Sequence, residues 1–281
     1  MLAWADMTTT TTWLSGDVQT NGIRMHYYRT GGNKPQLVLS HGATDDGLCW
    51  SRVAQALESD YDVVMPDARG HGLSDAPPQG YTSADHAADL AGLIGALGLE
   101  RPFIGGHSMG AGTTLRLVSE HPELVRCAFL EDPGFWSSDG PPANRPDPRN
   151  SIRAVVEDGR LAGRDATMAR GREMSPTWDE SEFRPWADAK LRVRDEFLNS
   201  FGTPGAMRQD WPELLQRVQR PLLLITSDPD RGGIVTPEVA LEAQRLLPRL
   251  RVVHLEGAGH NIRREQYDRF LSCVREFLAA N

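Results

Sequence analysis

Six short apolar runs recur along the chain, each bounded by turn residues: 36-QLVLS-40, 62-DVVM-65, 102-PFIGG-106, 125-VRCAFL-130, 221-PLLLI-225 and 251-RVVHL-255. They are too short for helices and too continuous for a sheet with one wet face. They predict strands covered on both faces, as in a parallel sheet. Ahead of them, Asn21-Gly22 reads as a two-residue primed turn. Val18 precedes it, and Ile23, Met25 and Tyr27 alternate after it, which predicts a hairpin.

Helical periodicity separates the runs. Leu90, Leu93, Ile94 and Leu97 repeat at i, i+3, i+4 and i+7, with Thr82 and Asp85 at capping-box spacing and Gly98 near the stop. Tyr267, Phe270, Leu271, Val274 and Leu278 form one apolar stripe on a C-terminal helix that Asn261 can cap. Alternation of this kind predicts an α/β fold with a parallel sheet. It breaks between Pro133 and about Trp211. There, 137-SSDGPPANRPDPRN-150 is loop chemistry, and Leu191, Phe197, Leu198 and Phe201 suggest an amphipathic helix. No strand-like run appears in that stretch, so it reads as a helical lid. The expected organisation is a flexible tail over 1–16, core over 17–132, lid over 133–211 and core again over 212–281.

Composition narrows the function classes. A chain of 281 residues, 40 % hydrophobic and 24 % charged, can bury a sizeable core and is neither disordered nor fibrous. No apolar run approaches the ~20 residues that span a bilayer, and MLAWADM does not read as a secretory signal. The net charge of −8 argues against nucleic acid and anionic membranes as partners. Cys49, Cys127 and Cys273 have neither metal-like nor redox-like spacing, which fits a reducing cytoplasm. Only Lys34 and Lys190 are lysines among 30 basic residues, a skew that by itself implies no function.

The candidate chemistry centres on 106-GHSMG-110, a G-x-S-x-G string. An apolar strand leads in and 109-MGAGTTLRLVSEH-121 leads out as a helix, the strand–turn–helix setting such a motif requires. A turn that sharp needs neighbours without bulk, which Gly106 and Gly110 supply, and it lifts the Ser108 hydroxyl above the sheet. A serine hydroxyl attacks well only if a base removes its proton. His260, which ends 251-RVVHLEGAGH-260, is the candidate base; His41, His71, His107 and His121 are the alternatives. A carboxylate must then hold the imidazole tautomer.

The order of hairpin, 40-SHG-42, 67-DARGHGLSD-75, 106-GHSMG-110, lid, late Asp and late His resembles the α/β-hydrolase fold family over residues 17–281. The resemblance implies a mostly parallel sheet of about eight strands flanked by helices, with the lid inserted. It implies an oxyanion hole from the backbone N–H groups of Ala43 and Met109. It also implies a fixing role, rather than a chemical one, for Asp67, Arg69 and His71. The acid stays open. Asp230, in 227-SDPDRGGIV-235, holds the family's usual place after the seventh strand and ranks first, although the loop is longer than the pattern. Asp132, 24 residues beyond Ser108, ranks second, and Asp228 third.

Trp136, Trp178 and Trp186 could line a substrate pocket or pack the lid on the core, and Trp50 reads as core. The lid arginines, from Arg145 and Arg149 through Arg153, Arg160, Arg164 and Arg170 to Arg172, read mainly as a solvated face. No metal cluster, phosphate loop or dinucleotide fingerprint appears, so no cofactor is expected. The expected activity is a serine hydrolase of small carboxylic esters or lactones. Alternatives are carbon–carbon bond hydrolysis, perhydrolysis, or a ligand-binding receptor or scaffold of the same fold. Nothing in the sequence fixes the oligomeric state.

Overall fold

A computed structural model describes residues 13–135, 148–201 and 210–281. β1 (Leu14–Thr20) and β2 (Ile23–Arg29) pair antiparallel with Thr20 opposite Ile23. Asn21 and Gly22 both take positive φ, +43° and +78°, as a primed turn requires. The strand starts at Leu14, three residues before the expected start of the core at residue 17. Trp13 is also anchored, its indole N–H donating to Glu58 at 2.6 Å. Residues 1–12 of the expected tail lie outside the described residues.

The chain then alternates: β3 (Gln36–Ser40), α1 (Ser51–Leu57), β4 (Asp62–Pro66), α2 (Ser83–Ala96), β5 (Phe103–His107), α3 (Met109–Glu120) and β6 (Ala128–Glu131). Among the described residues the insert contains four helices: α4 (Pro148–Ala162), α5 (Arg164–Met174), α6 (Glu180–Arg192) and α7 (Asp195–Phe201). The core resumes with α8 (Trp211–Arg217), β7 (Leu222–Thr226), α9 (Pro237–Leu246) and β8 (Arg251–His254), and ends with α10 (Ile262–Glu265) and α11 (Tyr267–Ala279). Thr82 and Asp85 form the reciprocal capping box on α2, and Gly98 ends it at φ +60°. Asn261 does not cap as expected. The C-terminal helix breaks at Gln266, and the Asn261 amide oxygen accepts from Arg264 instead.

The eight strands form one sheet in the order β1-β2-β4-β3-β5-β6-β7-β8, parallel from β4 to β8. Both faces are covered. Val38, Val64, Ile104, Leu130 and Leu224 pack toward α2, α3 and α8, while Leu37, Val63, Phe129 and Ile225 pack toward α1 and α11. Trp50 is fully buried in the second cluster, as the sequence predicts. Ser40 lies beside Gly106, and His107 beside Glu131, so the parallel register brings the strand ends that carry the motifs to one edge. Sites of α/β sheets sit outside such carboxyl ends.

Candidate active site

Ser108 sits between β5 and α3 at φ +53°, ψ −112°, and its N–H donates to Glu131 O at 3.0 Å. Its flanks tolerate no side chain. A β-carbon on Gly106 would stand 2.2 Å from Gly110 O, and one on Gly110 would stand 2.2 Å from Ser40 O. A β-carbon on Gly42 would meet the His107 ring at 2.6 Å and Ser108 Cβ at 3.4 Å. The 40–43 loop therefore lies directly against the serine turn.

The loop after β8 delivers His260. Its Nδ1 is 2.6 Å from Asp132 Oδ2, which fixes the proton on Nδ1 and leaves Nε2 as the acceptor. Asp132 is fully buried just beyond β6, and the N–H groups of Ile234 and Val235 also donate to it, at 2.9 to 3.0 Å. A carboxylate with three such donors is rigid and well suited to stabilise an imidazolium. Behind the pair, His107 Nε2 donates to His260 O at 3.0 Å, and the two rings lie 4.6 Å apart. His260 thus packs on the immediate neighbour of Ser108. Among the described residues the Ser108 hydroxyl makes no hydrogen bond within 3.5 Å to His260. Such bonds are often long in resting sites and tighten as substrate binds.

The preference for Asp230 over Asp132 is corrected by this geometry. Asp230 is exposed on the single turn Pro229–Arg231 and is not a partner of His260. The physical reason is the lengthened loop, which swings Asp230 outward and returns the Ile234 and Val235 N–H groups onto Asp132. Asp228 is engaged elsewhere, accepting from Gly257 N at 2.8 Å and pairing with His254 at 2.9 Å.

Ala43 and Met109 both pack against the insert, in a cluster with Tyr81, Val156, Val193, Phe197 and Leu198. Neither N–H has a hydrogen-bond acceptor among the described residues. Met109 N–H is also the first of α3, at the positive end of the helix dipole. Two free donors beside a serine nucleophile can hold an anionic oxygen. Thr44, Ser108 and Asp132, at φ +65°, +53° and +41°, are three of the five non-glycine residues with positive φ among the described residues. Each is strained by about 1–3 kcal/mol, and strain of that kind gathers at functional sites.

A buried charge network underlies the loop. Asp45 receives Lys190 at 3.0 Å, Arg263 at 3.1 Å and Arg264 at 3.0 Å; Arg263 also reaches Glu131, and Arg264 reaches Glu182. Burial alone would push the Asp45 carboxyl up, but Arg264, Lys190 and Arg263 outweigh it and hold it well below the usual range. Burial lowers His41 to about 4 and His71 well below its ordinary value, so both imidazoles are neutral. Their tautomers are fixed: His41 Nε2 accepts from Ala68 N, and His71 Nε2 accepts from Thr44 N. Asp67 accepts from Gly47 N and Leu73 N at 2.8 Å each, and Arg69 pairs with Asp89. All three members of 67-DARGH-71 thus brace loops and α2.

Two of the three aromatic residues proposed for a pocket, Trp178 and Trp186, lie among the described residues. Trp178 stacks on Phe183 and meets Trp186 edge-on inside the insert. Trp178 also lines a polar cleft of about 350 Å³ with Arg52, Arg264 and Tyr267, at the seam with α10 and α11. Trp136, Arg145 and the Arg149 side chain lie outside the described residues. Arg160, Arg164, Arg170 and Arg172 make exposed pairs with Asp195, Asp188, Asp158 and Glu180. Among the described residues no group of three or more His, Cys, Asp or Glu is placed to hold a metal ion, and no helix is long and apolar enough to cross a membrane. Sequence reasoning missed Asp45, Glu131, Lys190, Arg263 and Arg264. Their one signal was charge at the edges of apolar runs, next to the motifs.

Three comparisons bear on this geometry. A family profile described as alpha/beta hydrolase fold matches residues 35–263. The chain is 31 % identical to an N-formylmaleamate deformylase of Pseudomonas putida, over 94 % of this chain and 96 % of the relative. It is 27 % identical to a 2-(acetamidomethylene)succinate hydrolase of Mesorhizobium japonicum, over 90 % and 91 % of the two chains. Among solved structures, an enol-lactonase from Burkholderia xenovorans superposes with a TM-score of 0.75 at 26 % identity, covering 94 % of this chain and all of that one.

Proposed function

The chain belongs to the α/β-hydrolase fold family, and on that footing we propose that it is a serine hydrolase of small carboxylic acyl compounds. The observation that carries the reading is the pair of half-buried His260 with fully buried Asp132, packed through His107 against a strained Ser108. Ser108 Oγ attacks the substrate carbonyl while His260 Nε2 takes its proton, and Asp132 stabilises the resulting imidazolium. Ala43 and Met109 N–H groups receive the oxyanion; one such donor is worth on the order of 10²–10³ in rate. The tetrahedral intermediate collapses, His260 protonates the leaving group, and an acyl-Ser108 remains. Water, deprotonated by His260, then releases the acid and restores the serine.

The scissile bond is an ester or lactone on the sequence reading, and the lactonase relative supports that class. The names of the other two relatives, a deformylase of an N-formyl compound and a hydrolase of an acetamido compound, favour an acyl–nitrogen bond. One experiment separates them. Hydrolysis of p-nitrophenyl acetate and of p-nitroacetanilide is measured for wild type and Ser108→Ala, without added metal. Turnover that vanishes in the variant supports the serine mechanism, and the ratio of the two rates ranks oxygen against nitrogen leaving groups. Turnover that survives in Ser108→Ala sinks the proposal.

A further inference from the structure

The loop that carries the Ala43 N–H is gripped from the insert by one lysine. Residues 42–45 form a turn closed by Asp45 N–H donating to Gly42 O at 3.1 Å. Its third residue, Thr44, stands at φ +65°, where turns take Gly or Asn because a β-carbon is unfavourable. A β-branched residue there persists only if its surroundings hold it from several sides. Two groups do so. Thr44 N–H donates to His71 Nε2 at 3.3 Å, and Thr44 O accepts from Lys190 Nζ at 2.9 Å.

Lys190 reaches the loop from α6, 146 residues along the chain, and the same ammonium donates to Asp45 Oδ1 at 3.0 Å. It is only 4 % exposed, with the Trp186 ring 5.0 Å away. Neutralising Asp45 does not require it, because Arg263 and Arg264 already reach the other oxygen. The residue type is informative as well: 28 of the 30 basic residues are Arg. A compact ammonium can reach one carbonyl in a tight cleft that a planar guanidinium does not fit.

We infer that Lys190 is a positioning residue for acyl hydrolysis: by holding Thr44 O and Asp45 it keeps the preceding Ala43 N–H in place, so the oxyanion hole is complete only with α6 seated. This rests on the serine-hydrolase reading above. A donor fixed before charge develops acts on the transition state, so its loss lowers kcat and leaves KM nearly alone.

The test compares p-nitrophenyl acetate turnover in wild type, Ser108→Ala, Lys190→Met, Lys190→Gln, Thr44→Gly and the Lys190→Met/Thr44→Gly pair, with Arg172→Ala as an insert-surface control. Lys190→Met is expected to lower kcat about 10- to 100-fold, a good part of one donor's worth. Lys190→Gln keeps a donor for Thr44 O and falls between; it also serves if the Met variant does not fold. Glycine at 44 relieves the strain, so adding it to Lys190→Met returns several-fold of the lost kcat. Unchanged kcat in Lys190→Met overturns the inference. So does a loss seen only in KM, or one that Thr44→Gly leaves untouched, as a lysine that merely secures the insert would give. Hydrogen exchange of the 42–45 amides needs no substrate: it speeds up in Lys190→Met but not in Arg172→Ala, and equal rates overturn the inference. Ester turnover absent from wild type, or surviving in Ser108→Ala, strikes the serine-hydrolase reading instead.

Discussion

Around Ser108 the core brings backbone against backbone, whereas the insert meets its neighbours mainly through side chains. A β-carbon on Gly110 would collide with Ser40 O and His41 O, at 2.2 and 2.6 Å. The nearest atoms to one on Gly159, in α4, would be the Thr167 side chain at 3.1 Å and Lys190 Cβ at 3.8 Å. Most of the insert's polar links to the core are likewise side chains, such as Lys190 to Asp45 and Arg192 to Asp46, beside one backbone bond from Arg194 N–H to Gly70 O at 2.9 Å. Backbone contacts leave one geometry; side-chain contacts can be exchanged. Ser108 and its flanks are accordingly held within the core, and the insert reaches the loop beside them mainly through side chains such as Lys190.

If that division holds, the largest single effect lies in the core pair. Asp132→Asn keeps the shape of the acid but loses its charge and the correct imidazole tautomer. A fall in kcat of roughly 10⁴-fold is expected for a triad acid. Asp230→Asn, on the exposed turn, is expected to stay within about twofold of wild type, as surface substitutions do. Steady-state kinetics on one ester decides, and equal losses in both variants would break the assignment.

The same pair shows how far the sequence could be read. Strand positions, the elbow and the hairpin were legible because each follows from a local period or a local turn: β3, β5 and β7 fall within one residue of the apolar runs that predict them. His260 was legible from its place after the last strand. The choice of acid was not, because it depends on where the backbone of a nine-residue loop, 227-SDPDRGGIV-235, sends its N–H groups. The insert was less legible still. Lys190 and Thr44 are 146 positions apart, and no periodicity links them. The roles of Trp178 and Trp186 were illegible for a related reason: an aromatic side chain announces burial, not the partner it is buried against.

A smaller effect sharpens the contrast in packing. Gly110→Ala forces α3 away from β3, and overpacking of that kind typically costs about 1–3 kcal/mol or more. Gly159→Ala needs only the Thr167 hydroxyl to yield, and it gains helix propensity of up to about 1 kcal/mol. Chemical denaturation of the two variants should therefore differ in sign or nearly so. Comparable losses would mean that the insert is as tightly determined as the elbow, and the division drawn above would fail.

The last contrast is in acid response. All eight histidines lie outside residues 133–211, so the insert has none. In the core, burial lowers His86 to about 3 and His41 to about 4. The sign follows from proton counts. Above pH 6.5 the imidazole is neutral in both folded and unfolded chains and contributes nothing. Below it, the unfolded chain binds a proton that the folded one refuses, so stability is lost as pH falls from 6.5 toward the folded value. For His86 the loss reaches about 2 kcal/mol between pH 6.5 and 5, at ~1.4 kcal/mol per unit. Asp67, pushed up to about 7 by burial and the neighbouring Asp46 charge, works in the opposite direction over part of that range. The informative quantity is therefore the difference between wild type and His86→Leu. Among the described residues His86 Nε2 has no hydrogen-bond partner to lose, so leucine removes the titration with little else. Melting temperatures measured from pH 7 to 5 should fall less steeply in the variant. Parallel curves would mean that His86 takes up its proton in the folded state, and the acid response would have to be sought in the buried carboxylates, including those that meet the insert.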